Sequence, residues 1–277
     1  MTFQLDKCTK GLTFWIHSKP CSRKYFRQLR GQGYNWIGLT VVDYEWQYRH
    51  DLFLAGKEPP TFSDMHFVAA TCEAANAEGL RVVVRQHFMG VHYNEARAGN
   101  VDIISPTVNL ARVFKDIQKP SAFSSALQWN CFQPAGEWSQ LKPWGQFTDS
   151  ELAEATKWTE SMYSQMVPLI RAEVPDLTLV QNPAGWAHII TKEHEAMTLD
   201  IPNAFIAADY HQTVNVKTDL KDFRDYWAAR GKKVALLEYI PDRDDILAEA
   251  RLLGIPASEW DYGKPGLPGP VVSVDVT

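Results

Sequence analysis

Cysteine is scarce in this 277-residue chain: Cys8, Cys21, Cys72 and Cys131 are scattered and form no CxxC pair. That spacing argues against a zinc cluster or a disulfide framework and predicts reduced thiols, with Cys8–Cys21 the one pairing left open. Long apolar runs are missing too. None approaches the roughly 18 residues of a spanning helix, so no membrane partner is expected. There is no excess of positive charge: 28 basic residues against 33 acidic ones leave a net charge of −5. A nucleic-acid partner is therefore not expected. A Gly-rich phosphate loop is also lacking, and no organic cofactor is implied. The opening Met1-Thr-Phe-Gln-Leu-Asp6 lacks the basic-then-apolar layout of a secretion signal. Cytoplasmic residence is the default expectation, with secretion the reading if a leader has been removed.

What is present is ordinary globular composition, 45% hydrophobic and 22% charged, with ten tryptophans, ten tyrosines and thirteen phenylalanines. Residues 1–277 read as one domain with an ample core. The chain repeats a single phrase: an amphipathic helix, a Gly or Pro punctuation, then an apolar β-branched run. Thr71-Cys-Glu-Ala-Ala-Asn-Ala-Glu leads through Gly79 into Leu80-Arg-Val-Val-Val, and Phe223-Arg-Asp-Tyr-Trp leads through Gly231 into Val234-Ala-Leu-Leu. Eight strand candidates result, at 12–17, 35–42, 80–87, 125–130, 177–182, 204–211, 234–240 and 255–260. Alternating strands and helices of this number predict an α/β protein of the (β/α)8, TIM-barrel type. A doubly wound open sheet is the rival. The longest helix should begin at Thr148-Asp-Ser-Glu151, a capping box. Leu152, Ala155, Met162, Met166, Ile170 and Val174 form its core-facing stripe, with a kink at Pro168. After Trp260 the Gly/Pro-rich tail 263–277 cannot be helical, so the eighth helix is expected to be absent or replaced by an irregular tail. Its place would be covered by that tail or by a second copy of the chain.

In a barrel the strand ends carry the chemistry. Read in order they present His17, Asp43-Tyr-Glu45-Trp46, Arg85-Gln-His87, Gln128-Trp-Asn130, Gln181-Asn182, Asp209-Tyr-His211, Glu238-Tyr239 and Trp260-Asp261. Trp15, Trp46, Trp129, Trp138, Trp144, Trp186, Tyr210, Tyr239 and Trp260 all fall at or just past such ends. Flat rings there fit a carbohydrate cleft, because apolar sugar faces stack on them at low entropic cost.

The ordered set Gly33-Tyr-Asn-Trp-Ile37, Arg85-Gln-His87, Trp129-Asn130, Asp209-Tyr-His211, Leu237-Glu-Tyr239 and Trp260-Asp-Tyr-Gly263 resembles the strand-end motifs of retaining glycoside hydrolases of the cellulase-like (β/α)8 superfamily, the endo-glycanase type. It covers nearly the whole chain, through motifs of only two to five residues each. The resemblance implies that Glu238 is the nucleophile and that Asn130 touches the sugar 2-hydroxyl. His87, Tyr210, His211 and Trp260 fall on its substrate-binding positions.

Two departures bear on mechanism. The family has a glutamate and proline after the strand-four asparagine, as general acid/base; here the chain reads Asn130-Cys-Phe-Gln133-Pro134. The arginine expected on strand two appears as Gly38, with Arg85 the candidate replacement. Retaining hydrolysis needs one carboxyl to attack and a second, about 5–5.5 Å away, to shuttle a proton. Glu137 in Pro134-Ala-Gly-Glu-Trp138 is the leading candidate for that second role; Glu45 and Asp209 are others. Gln133, Trp138 and Glu45 are expected to contact substrate. Two other classes compete: a non-catalytic glycan-binding barrel, suggested by the lost glutamate, and a metal-dependent barrel hydrolase using His17, His87, Asp209 and His211. The latter class normally opens with a His-x-His pair, and His17 stands alone, so no metal is expected.

Overall fold

The computed structural model describes residues 3–16, 21–42, 65–87, 104–115, 117, 121–124, 148–181, 187, 195, 198–212 and 214–260. Eight parallel strands close into a barrel in sequence order. They are β1 (Lys10–Ile16), β2 (Trp36–Val42), β3 (Arg81–His87), β4 (Ser121–Ser124), β5 (Thr178–Gln181), β6 (Ala204–Tyr210), β7 (Val234–Tyr239) and β8 (Ala257–Trp260). Strand β8 pairs with β1, aligning Thr13 with Trp260. The described α-helices are α1 (Arg23–Gly31), α2 (Met65–Ala77), α3 (Ile104–Arg112), α4 (Asp149–Glu173), α5 (Val216–Ala228) and α6 (Asp244–Leu252). The expected barrel is therefore the observed one. None of the described helices is long and apolar enough to cross a membrane. The tail 263–277, and with it the place of an eighth helix, lies outside the described residues.

One strand differs from expectation. β4 runs over 121–124 and pairs with both β3 and β5, whereas 125–130 lies outside the described residues. Ser-Ala-Phe-Ser has little β propensity of its own, and flanking strands impose its conformation. Helix α4 follows the sequence closely. Thr148 and Glu151 form the reciprocal capping box, and the helix continues through Pro168 to Glu173. Leu152, Met162, Met166, Ile170 and Val174 are buried. The thiols of Cys8, Cys21 and Cys72 are unpaired by disulfide, so Cys8–Cys21 is no bridge. Burial pushes Cys8 and Cys21 up to about 12, which makes both inert as nucleophiles near neutral pH.

Side-chain alternation divides the barrel into two layers. Outward residues such as Leu12, Phe14, Ile37, Leu39, Val82 and Val84 pack with Phe26, Leu29 and Met166 of the helices. Inward residues form a second core. Phe3, Leu5 and Cys8, which precede β1, plug the barrel beneath Trp36, Val83, Val180, Phe205, Ala207 and Leu237. Phe3 stacks on Phe205 with ring centroids 6.1 Å apart. The Trp36 indole fits only because position 11 is glycine: a β-carbon there would overlap its ring.

Candidate active site

The site begins with an irregularity. Ala208 pairs with Leu236, but the next residue, Asp209, pairs with Glu238, so Leu237 is an extra residue in β7. Such a bulge turns the following side chains to the opposite face. Ala235 and Leu237 point into the barrel. Strict alternation would then send Glu238 outward into the helix layer. The bulge instead lets Glu238 follow Leu237 inward, and Tyr239 takes the outward place, packed with Leu220, Phe223 and Ile246.

The bulge is pinned from β1. Thr13 Oγ1 donates to the Leu237 carbonyl at 2.5 Å and lies 2.6 Å from Ser258 Oγ. Thr13 has room because its β2 partner is Gly38; a β-carbon at 38 would run into the Thr13 hydroxyl. The glycine standing where the family resemblance expects arginine is thus part of the scaffold that aims Glu238.

Arginine reaches the site from the neighbouring strand. Arg85 of β3 sits opposite Thr40 of β2. It donates from Nη1 to Asp209 Oδ1 at 3.0 Å and from Nη2 to Glu238 Oε2 at 2.9 Å. His211, just past β6, places Nε2 2.9 Å from Glu238 Oε1. The Trp260 ring centroid is 6.0 Å from the guanidinium carbon, at the outer limit of a cation–π contact. The cluster is graded in depth. Side-chain exposure is 3% for Arg85 and 7% for Asp209, but 13% for Glu238 and 21% for His211. Glu238 and His211 therefore face the mouth, with Arg85 and Asp209 beneath them.

The charges sort the two carboxyls. Burial pushes Glu238 up, but the His211 hydrogen bond and the Arg85 charge outweigh it and hold the carboxylate below its ordinary value. His211 is raised, chiefly by its hydrogen bond to Glu238. Asp209 is driven the other way, to about 7, by burial first and by repulsion from Glu238, against the pull of Arg85. Two carboxyls on adjacent strands are thus driven apart, Glu238 toward the ionised form and Asp209 toward the protonated one.

The structure gathers three of the residues expected from sequence: Glu238, His211 and Trp260. His87 closes β3 on the same rim. Tyr210 requires a correction. It is fully buried on the outer face of β6, where its hydroxyl donates to Asp219 Oδ2 at 2.8 Å and lies 3.2 Å from the Val214 carbonyl. It faces helix α5 rather than the mouth because Asp209 occupies the inward position beside it. Tyr239 is turned outward for the same reason, so neither ring belongs to a cleft. Glu137, Glu45, Asn130, Gln133 and Trp138 lie outside the described residues, as do His17, Trp129 and Trp144. The reading from sequence gave Arg85 and Asp209 only secondary roles. An arginine directly after the apolar run Val82-Val-Val84 of β3 was the available signal for the first.

No family model matches this chain, and no curated protein matches it. Solved structures do. A GH5-4 broad specificity endoglucanase from Clostridium longisporum superposes with a TM-score of 0.67 at 12% identity, covering 93% of this chain and 86% of that one. A Thermotoga maritima enzyme in complex with mannotriose gives 0.64 at 11% identity, covering 93% and 91%. A Bacteroides ovatus GH5 xyloglucanase in complex with a heptasaccharide gives 0.64 at 14% identity, covering 89% and 63%. What is shared is the fold. The chain shares the eight-stranded barrel fold of these structures, and its Arg85–Asp209–Glu238–His211 cluster lies at the carboxyl-terminal strand ends, the face where barrel enzymes carry their chemistry.

Proposed function

We propose that this protein is a retaining glycoside hydrolase acting on an oligo- or polysaccharide, with Glu238 attacking the anomeric carbon. The observation that carries the reading is the two-sided grip on Glu238: Arg85 holds Oε2 and His211 holds Oε1. A nucleophile must be ionised and held within reach of the reacting carbon. Both donors favour the ionised form, and the partial exposure of Glu238 leaves it open to the mouth. His211 and Trp260 line the approach to it; His87, Asn130, Gln133, Trp138 and Glu45 are the further residues assigned to substrate. Proton donation to the leaving sugar falls to Glu137. Asp209 is too enclosed for that role, lying with Arg85 beneath Glu238 and His211. The glycan complexes among the structural neighbours support carbohydrate as the ligand class.

The test is covalent labelling. A 2-deoxy-2-fluoro-cellobiosyl fluoride should glycosylate Glu238 rather than lysine or cysteine, the carboxylate oxygen displacing fluoride from the anomeric carbon, and peptide mass spectrometry locates the label. Glu238→Gln should keep the fold and lose turnover by on the order of 10³-fold or more, since it removes the carboxylate that forms the intermediate. Full activity in that variant overturns the assignment. A second reading, a glycan-binding barrel without turnover, is favoured by one observation: no glutamate follows Asn130 directly, where the resemblance expects the acid. Saturable glycan binding with no hydrolysis on any of a panel of β-glucans, mannans and xyloglucans would select it.

A further inference from the structure

The Arg85 guanidinium has two hydrogen-bond acceptors among the described residues, Asp209 Oδ1 and Glu238 Oε2. Its Nε is buried and has none there. A planar fork held at one tip can still pivot about its stem; a second fixed acceptor removes that freedom. Asp209 provides it. Its backbone is paired with β7 on one side, its carbonyl accepts from the Ala187 N–H at 2.7 Å, and the residue is only 5% exposed. Asp209 and Glu238 are register partners across β6 and β7, so one cation serves two carboxyls side by side. When both are ionised they divide that cation and repel each other. When Asp209 carries a proton, the cation serves Glu238 alone.

We propose that Asp209 is a positioning residue for the reaction: it fixes the Arg85 fork against Glu238 from beneath, and its protonation sets how much of the guanidinium charge Glu238 receives. It acts through Arg85 and touches no substrate. The inference rests on the reading of Glu238 as nucleophile. Among the described residues, the groups facing Asp209 are Arg85 from β3, Glu238 from β7 and His211 beyond the end of its own strand. Its elevated proton affinity, near pH 7, is what burial among these groups produces. His211 and Arg85 hold Glu238 below the ordinary glutamate range against its burial, so the two carboxyls are shifted in opposite directions.

His211 reports on the pair without any substrate. In protein labelled with nitrogen-15 histidine, its ring resonances, assigned by comparison with a His211→Gln sample, are followed by NMR from about pH 5 to about pH 9. The wild-type curve should show two inflections, one from the imidazole and one near pH 7 from Asp209. Asp209→Asn should leave one, moved to lower pH, because the Asp209 charge favours the imidazolium. A single wild-type inflection, unchanged in the variant, overturns the proposal. If Asp209→Asn does not fold, the wild-type curve decides alone.

The second readout is the rate at which the fluorinated cellobiosyl fluoride labels Glu238. It should fall on the order of 10²-fold in Asp209→Asn, the cost of a nucleophile held about 1 Å out of place. Its pH dependence near 7 should disappear. Equal rates with an unchanged pH profile overturn the positioning role. If the wild type labels with no sugar, the hydrolase reading falls, while the histidine titration still decides whether Asp209 governs the charge on Glu238.

Discussion

The lower and upper halves of the barrel interior are built by the same strands and obey opposite rules. Along β3 a single residue separates Val83 from Arg85; along β6 a single residue separates Ala207 from Asp209. Below, the inward side chains are Phe3, Trp36, Val83, Phe205 and Leu237, an apolar plug with Trp36 fully buried. Above, they are Arg85, Asp209 and Glu238, an ionic cluster almost as deeply enclosed. Apolar burial favours folding by about 25 cal/mol per Å². An enclosed ion network contributes little or nothing net, because desolvation offsets the attraction between its members. The lower half therefore holds the barrel together and the upper half is tolerated for what it does.

Substitutions at Arg85 and Trp36 test that division most severely. Arg85→Met leaves Asp209 and Glu238 buried without their cation, which should cost about 3–5 kcal/mol at neutral pH. The loss should shrink in acid. With the arginine gone, burial and the Glu238 charge hold the folded proton affinity of Asp209 above its unfolded one, so the penalty is present above that range and is relieved as pH falls and Asp209 binds a proton. Trp36→Ala should cost a similar 3–5 kcal/mol by opening a cavity, with no comparable dependence on pH. Urea unfolding at about pH 5 and about pH 8 compares the two. Parallel pH dependence in both variants would refute the division.

A smaller effect is expected at the hinge between the halves. Gly38→Ala drives a methyl into Thr13 and, through Thr13, into the Leu237 carbonyl at the bulge. Overpacking of this kind costs about 1–3 kcal/mol. Its signature should be disproportionate: labelling of Glu238 falls more than stability does, since the bulge aims that side chain. A variant that loses stability but labels at the wild-type rate would show that the bulge tolerates displacement of Thr13.

The same contrast explains what the sequence could reveal. The plug and the helix layer obey periodicity, so the strands, the capping box at Thr148 and the buried stripe of α4 were readable from residue spacing alone. Glu238 and His211 were readable because strand ends of a barrel converge, whatever the separation along the chain. The bulge was not readable. Nothing in Val-Ala-Leu-Leu-Glu-Tyr marks Leu237 as the extra residue, and without it alternation places Glu238 and Tyr239 on the wrong faces. Arg85 as the centre of the cluster was hidden for a related reason: its partners lie 124 and 153 positions away, and only the closed sheet brings three strands to one cation. Tyr210 was misplaced because a motif of three residues does not say which of its members points inward.

Tyr210 gives the mildest and most discriminating test. Its phenol lies in the outer layer with the hydroxyl on Asp219, so Tyr210→Phe removes one hydrogen bond between β6 and the start of α5. The expected cost is about 1 kcal/mol. It should be independent of pH across the neutral range, because burial and the Asp219 contact push the phenol pKa well above its ordinary value. Glycan affinity and the rate of Glu238 labelling should match the wild type, as no atom facing the mouth has changed. Isothermal calorimetry with a cello-oligosaccharide measures the first and intact-protein mass spectrometry the second. Were Tyr210 a sugar contact, as the motif resemblance implies, losing its hydroxyl would weaken binding while sparing stability. The two positions for this one ring thus predict opposite pairs of results, and a tenfold loss of affinity, about 1.4 kcal/mol, in a variant of unchanged stability would return Tyr210 to the cleft.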